Sequence, residues 1–379
     1  MTPPPRPLPD LPLTFREELT PHVYRALNRG ASVALVGVAG GGLSNALRFM
    51  AQPAVAAHYL GERAGDALLV LVEADLWGEP AAVYRELAHT LAAAAHAQQW
   101  PRAEQAALRT VGEAALTSQA AQGGTLLAEA LEHLCGGRRK RVVFFCDEFD
   151  SALAHLPAEA LRVLRGLRDA HEGRLCFVAG LHREPGLIAA ARPAAPDGPD
   201  PLRFVELFEQ HTFAVRPYAP GDARVAMAYR TADWQPPLEA ETAETLYRVS
   251  GGHARLLTTC LNYLSSHRQL AWAQIEPGLL GDPANLAPCS AIWNDLDAGE
   301  QRAAWLLARE ARAELDEAQL ARLQLRGLAV GGPPFLFSSL FEAFVSTLPE
   351  PPAPEPNRVP LRLRDPAASK RGFAPGADP

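Results

Sequence analysis

Lysine is nearly absent: of the 36 cationic residues only Lys140 and Lys370 are lysines. A positive charge at a functional site therefore has to come from arginine. A basic excess is lacking too, since 43 acids leave a formal charge of −7, and no global field draws the chain onto nucleic acid. The five cysteines, Cys135, Cys146, Cys176, Cys260 and Cys289, show no CxxC spacing and no local histidine partner. Buried, reduced thiols and a cytoplasmic setting are expected. No stretch approaches ~18 apolar residues, and the opening MTPPPRPLPD has no apolar h-region, so neither a membrane span nor an export signal is expected. HExxH, a nucleophile elbow and Cys/His metal spacing are also missing.

What remains is a chain of 379 residues, 48% hydrophobic and 21% charged, long enough for two or three domains with buried cores. Six prolines fall in residues 1–12 and nine in residues 349–379, which marks both ends as extensions around a folded body. Residues 13–29 carry apolar positions at helical spacing. Ala31–Val38, Ala67–Ala74, Arg141–Cys146 and Arg174–Ala179 are short apolar runs that read as fully buried strands. Helical patterns lie between them: Leu43–Met50, Pro80–Gln99, one or two helices over Glu104–Cys135 broken near Gly123–Gly124, and Pro157–His171. Strands alternating with helices predict a three-layer α/β core built on a parallel sheet. After the loop Ala191–Leu202 and a short apolar piece, Thr212–Val215, helices run to about Arg268. Ile292–Leu348 suits a small winged helix whose wing sets Leu328–Val330 against Phe335–Phe337. The expected domains are a Pro-rich extension at 1–12, an α/β core at 13–205, a helical lid at 206–285, a winged helix at 286–348 and a Pro-rich tail at 349–379. That tail is either an extended linker or docks through Val359–Leu363.

The first strand runs into Gly37-Val38-Ala39-Gly40-Gly41-Gly42-Leu43-Ser44 and then a helix. A phosphate loop has the form GxxxxGK[ST] in this setting, because glycines let successive N–H groups converge on an anion at a helix N-terminus. Gly37, Gly42 and Ser44 fit that form, while Leu43 stands at the lysine position and Asn45 follows. A plain strand–helix turn is the alternative. The third strand ends in Asp147-Glu148. Two acids there either orient Mg²⁺ and polarise water or simply cap the next helix.

The succession resembles the AAA+/STAND-type P-loop ATPases, through the glycine loop, the DEFD of Asp147–Asp150, a polar turn Gly180–Arg183 at the sensor-1 position, and SGGHARLL at Ser250–Leu257 followed by a winged helix. The resemblance implies a nucleotide-binding core, a lid and a winged helix over about residues 13–347. It implies that Gly37, Gly40, Gly41, Gly42, Leu43, Ser44 and Asn45 cradle phosphates of ATP or ADP, that Ser44 and Asp147 hold Mg²⁺, and that Glu148 activates water. His253 then contacts nucleotide, or else is a turn residue at a helix start. A cation replacing the missing lysine is sought in Arg255 or Arg183, with Arg48 behind them, although each also reads as a solvated surface arginine. Weakened binding and slow or absent hydrolysis follow from Leu43. The implied function is a nucleotide-dependent switch acting on a protein partner or in a homo-oligomer; the alternatives are a catalytically dead scaffold and a DNA-handling ATPase. Against DNA stands the winged helix, where Ile292–Val345 holds five arginines and eight acids, a net of −3.

Overall fold

The four apolar runs, joined by a fifth, form one parallel sheet. The computed structural model describes residues 11–73, 77, 83–117, 120–192, 202–352 and 363–365. Both Pro-rich ends lie almost wholly outside these residues, and so does Lys370. The strands are β1 (Val33–Gly37), β2 (Ala67–Val72), β3 (Arg141–Cys146), β4 (Leu175–Leu181) and β5 (Thr212–Val215), in the order β2-β3-β4-β1-β5. β2 pairs with β3, β3 with β4 and β4 with β1 in parallel, with Val36 opposite Leu181 and Cys146 opposite Ala179. Helices on both faces explain why the strands carry apolar residues continuously rather than alternately. Phe144 stacks on Phe177, Phe204 meets Phe177 edge to face, and Phe149 meets Phe204 and Trp77.

Three local readings change. The helix expected over 13–29 spans Thr20–Asn28, with Pro21 in its first turn, where a fixed φ and a missing N–H cost nothing; residues 13–19 are turns. Gly123 and Gly124 do not break a helix. They lie inside Ala120–Leu131, and a Cβ on Gly123 would sit 3.0 Å from the Arg85 backbone nitrogen, so glycine here permits close helix packing. Thr212–Val215, placed beyond the core by its weak signal, is the fifth strand of the sheet.

Beyond β5 come the helices Pro220–Arg230, Ala240–Ser250, Ala254–Ser266 and Trp272–Gly281 of the lid. The winged helix follows with Cys289–Asp295, Ala298–Leu307 and Glu317–Leu325, a two-stranded wing and Ser339–Ser346. The wing strands, β6 (Ala329–Val330) and β7 (Phe335–Leu336), are antiparallel, and a Phe337 N–H to Leu328 C=O bond extends them to the expected span. By packing, the described chain forms two units. One draws on Glu17–Val36, Ser44–Phe213 and the tail residues; the other draws on Arg16, Gly37–Leu43 and the residues from Ala214 on. All five cysteines are free and buried, and burial pushes their thiols up, Cys176 to about 11 and Cys135 to about 12. They are packing groups, not nucleophiles. No helix among the described residues is long and apolar enough to cross a membrane.

Candidate functional site

The glycine loop and the lid form one constellation. Gly40 and Gly42 have φ of 72° and 93°, which favours glycine, and the space beside them is already taken. A Cβ on Gly40 would lie 2.8 Å from the Arg255 Cβ, and one on Gly42 would lie 2.9 Å from the Tyr218 hydroxyl. Successive loop carbonyls are each held. Ala39 C=O accepts from His253 Nε2 at 3.1 Å, Gly40 C=O from the Arg255 N–H at 3.0 Å, and Gly41 C=O from Arg16 Nη2 at 3.2 Å. The Ala39 N–H donates to the Asp295 carboxylate, and Gly41 N–H donates to Val38 C=O. Leu43, which opens the helix Leu43–Met50, is 5% exposed.

His253 is the N-cap of the lid helix Ala254–Ser266, where its Nδ1 accepts the Leu256 N–H at 3.4 Å. With Nδ1 accepting, Nε2 carries the proton donated to Ala39. Burial, then the nearby Arg255 and Arg16 charges, hold its pKa down at about 3 despite the Ala39 bond, so the ring is neutral and serves as a fixed strut. Arg255 is exposed beside Gly40, and its guanidinium has no ion pair among the described residues. Of the expected replacement cations, Arg255 lies in the same unit as the loop and beside it. Arg48 is spent on Glu73 at 3.2 Å at the surface, and Lys140 pairs with Asp66 at the opposite ends of the strands.

Three contributors escaped the sequence. Arg16, fully buried with φ of 57°, donates to Gly41 and Arg216 carbonyls, lies 4.4 Å from the Tyr218 ring centroid, and takes Asp222 on its own N–H. Tyr218 and Asp295 complete the set. Their only sequence signal was a charge or hydroxyl in an apolar setting, which names no partner.

The second constellation is at the carboxyl ends of the strands. The Ser44 hydroxyl donates to Asp147 Oδ1 at 3.1 Å, and the same oxygen accepts the Glu148 N–H at 3.1 Å. Asp147, 6% exposed, is fixed by its N–H on Val72 C=O and by Trp77 Nε1 on its own C=O at 2.8 Å. Glu148 is exposed, with φ of 47°, at the N-cap of Phe149–His155, and its side chain makes no cap bond. Asp150 accepts the His182 N–H at 2.9 Å, His182 Nδ1 at 3.1 Å and the Arg183 N–H at 3.4 Å, tying the turn after β4 to the helix after β3. The Arg183 side chain is exposed, and Asn45 is half-buried in the first turn of its helix. No group of three or more His, Cys, Asp or Glu among the described residues could hold a metal alone. A serine hydroxyl and one carboxylate oxygen are a hard donor pair that suits Mg²⁺, which keeps waters and takes substrate phosphate oxygens as its other ligands.

No family model and no curated protein matches the sequence. Solved structures do. The ORC2 protein of Aeropyrum pernix in its ADP form is 12% identical with a TM-score of 0.52 over 89% of this chain and 96% of that one. The Walker-type ATPase PABY2304 of Pyrococcus abyssi is 14% identical with a TM-score of 0.48 over 87% and 95%. The Aeropyrum pernix ORC1 protein in complex with DNA is 14% identical with a TM-score of 0.46 over 90% and 95%. At these identities the likeness speaks to architecture: the chain has the P-loop fold of AAA+ ATPases, a parallel-sheet core followed by a lid and a winged helix.

Proposed function

We propose that the chain is a STAND-like nucleotide switch that binds ATP or ADP with Mg²⁺ weakly, hydrolyses it slowly or not at all, and acts through a protein partner. The observation that carries this reading is the Ser44–Asp147 hydrogen bond, a metal-type oxygen pair one residue past a glycine loop whose Ala39, Gly40 and Gly41 carbonyls are held by His253, Arg255 and Arg16. With its carbonyls so engaged, the loop offers N–H groups at the start of the helix Leu43–Met50 to a polyphosphate. Bound there, Mg²⁺ would neutralise phosphate charge, with Ser44 and Asp147 as its protein ligands. Arg255 supplies the cation that Leu43 cannot, and Glu148 is the group to hold a water proton. Lacking the lysine removes a charge-assisted bond of ~1.5–3 kcal/mol, which weakens binding by roughly 10- to 150-fold relative to a lysine-bearing loop.

Calorimetry tests this. Mg²⁺–ADP and Mg²⁺–ATP are expected to bind, and Arg255→Ala to weaken both by about tenfold or more, while Glu148→Gln leaves affinity unchanged. No heat and no thermal shift at millimolar nucleotide would instead establish the scaffold reading.

DNA is not the proposed partner, and the side chains of the winged helix support this. Arg302 pairs with Glu350, Arg322 with Asp297 and Arg326 with the buried Glu300. Arg309 lies over Trp305 and bonds the Leu348 carbonyl, and Arg312 bonds that of Pro334. All five arginines are engaged within their own unit, so neutralising DNA phosphates would cost these contacts. The full chain is expected to show no salt-sensitive shift of duplex DNA at micromolar concentration and physiological salt. Such a shift, with a steep salt slope, would reverse the assignment.

A further inference from the structure

Among the described strands β5 ends the sheet, with β1 as its strand neighbour on one flank. An edge strand exposes backbone donors and acceptors to any extended chain that reaches it. Along β5 these groups alternate in direction: the carbonyl of His211, just before the strand, accepts Ala34 N–H of β1, and the next carbonyl, that of Thr212, points the opposite way. On that outer side lie the tail residues Leu363–Asp365. Arg364 forms a parallel bridge with Phe213 and donates its N–H to Thr212 C=O at 2.9 Å. Leu363 is half-buried against the apolar core of the sheet unit. The Arg364 charge stands near enough to His211 to help burial hold that imidazole below its ordinary value.

We infer that the outer edge of β5 is a docking site for an extended segment carrying an apolar residue followed by a basic one, and that the chain's own Leu363–Arg364 is its resting occupant, a detachable sixth strand. Among the described residues the attachment is short, three residues with an Arg364 ladder bond and a half-buried leucine, so its occupancy depends on the tether as well. Ten residues, Ala353–Arg362, join Leu363 to Pro352, and a tether of this length gives a local concentration of order millimolar. A protein partner therefore reaches this edge with a segment of the same chemistry only by displacing the tail, in the manner of strand addition. The inference is independent of nucleotide binding.

The test uses the full chain and a fluorescein-labelled peptide of residues 359–367, VPLRLRDPA. Arg364→Pro removes the N–H given to Thr212, and Leu363→Asp removes the apolar anchor; both lie outside the candidate nucleotide site. By fluorescence anisotropy, the peptide is expected to bind both variants, and the unaltered chain at least tenfold more weakly. A peptide with proline in place of Arg364 is expected to bind none of them. Equal binding to unaltered and variant chains, or no binding to either variant, would overturn the inference. Melting curves check that the variants are folded.

Discussion

Arg16→Ala is expected to lower stability by about 4–8 kcal/mol, from one buried and one part-buried carbonyl left without a donor at ~1–3 kcal/mol each and a desolvated cation–π contact of ~2 kcal/mol. At about 2–4 °C per kcal/mol for a unit of this size, the melting temperature should fall by about 8–32 °C. The carbonyls are those of Gly41 and Arg216, and the ring is Tyr218. Arg16 reaches the loop and the residues after β5 with two nitrogens of one planar group while its own N–H is held by Asp222. A lysine has a single rotatable ammonium and cannot bridge both carbonyls while lying flat on the ring, so Arg16→Lys should recover less than half of the loss. Differential scanning calorimetry on the two variants checks this. A melting temperature unchanged in Arg16→Ala would show that the loop is not supported from this side. The same variant should bind nucleotide less well than its melting temperature alone explains, because the freed Gly41 lets the loop sample conformations in which its N–H groups diverge.

How much of this was legible depended on how local each signal is. β3 was read to the residue because RVVFFC is apolar throughout and ends in acids, and β1, β2 and β4 shifted only by a residue or two at their ends. The wing was legible from Gly331–Pro334 between two apolar pairs. β5 was not, since TFAV is four residues of a kind that also occurs in helices, and only the sheet decides it. In the candidate site, the glycine loop, Ser44 and Asp147 are adjacent in sequence or carry a motif, and the fold places Ser44 and Asp147 within a hydrogen bond of each other. Arg16, Tyr218 and Asp295 could not be found this way. Arg16 sits between Phe15 and Leu19 at spacing that reads as an ordinary helix, and its partner Gly41 lies 25 residues on. Asp295 meets Ala39 across 256 residues. Tertiary placement of a lone charge leaves no periodic trace.

Leu43→Lys should lower the melting temperature of the free protein yet enlarge the stabilisation that nucleotide provides. At 5% exposure, Leu43 is buried beside the loop, and an ammonium there needs acceptors. The nearby carbonyls already have donors: Gly41 N–H on Val38, His253 on Ala39, the Arg255 N–H on Gly40 and Arg16 on Gly41. An ammonium added without a partner is destabilising by ~1–3 kcal/mol on the scale of protein substitutions that bury polar groups, while lysine itself is an acceptable residue at the start of a helix. Phosphate oxygens supply the missing acceptors, so that loss is returned when Mg²⁺–ATP binds. The apparent affinity should then rise by about tenfold, since ~1.4 kcal/mol corresponds to a factor of ten. Combining the change with Glu148→Gln should keep the gain in affinity and abolish turnover, because affinity and water activation reside in different groups. Affinity by calorimetry and melting temperature with and without nucleotide, measured on the same sample, separate the outcomes. A lower melting temperature with unchanged affinity would mean that the glycine loop does not receive phosphate, and the chain would then be a scaffold that keeps the P-loop fold without its ligand.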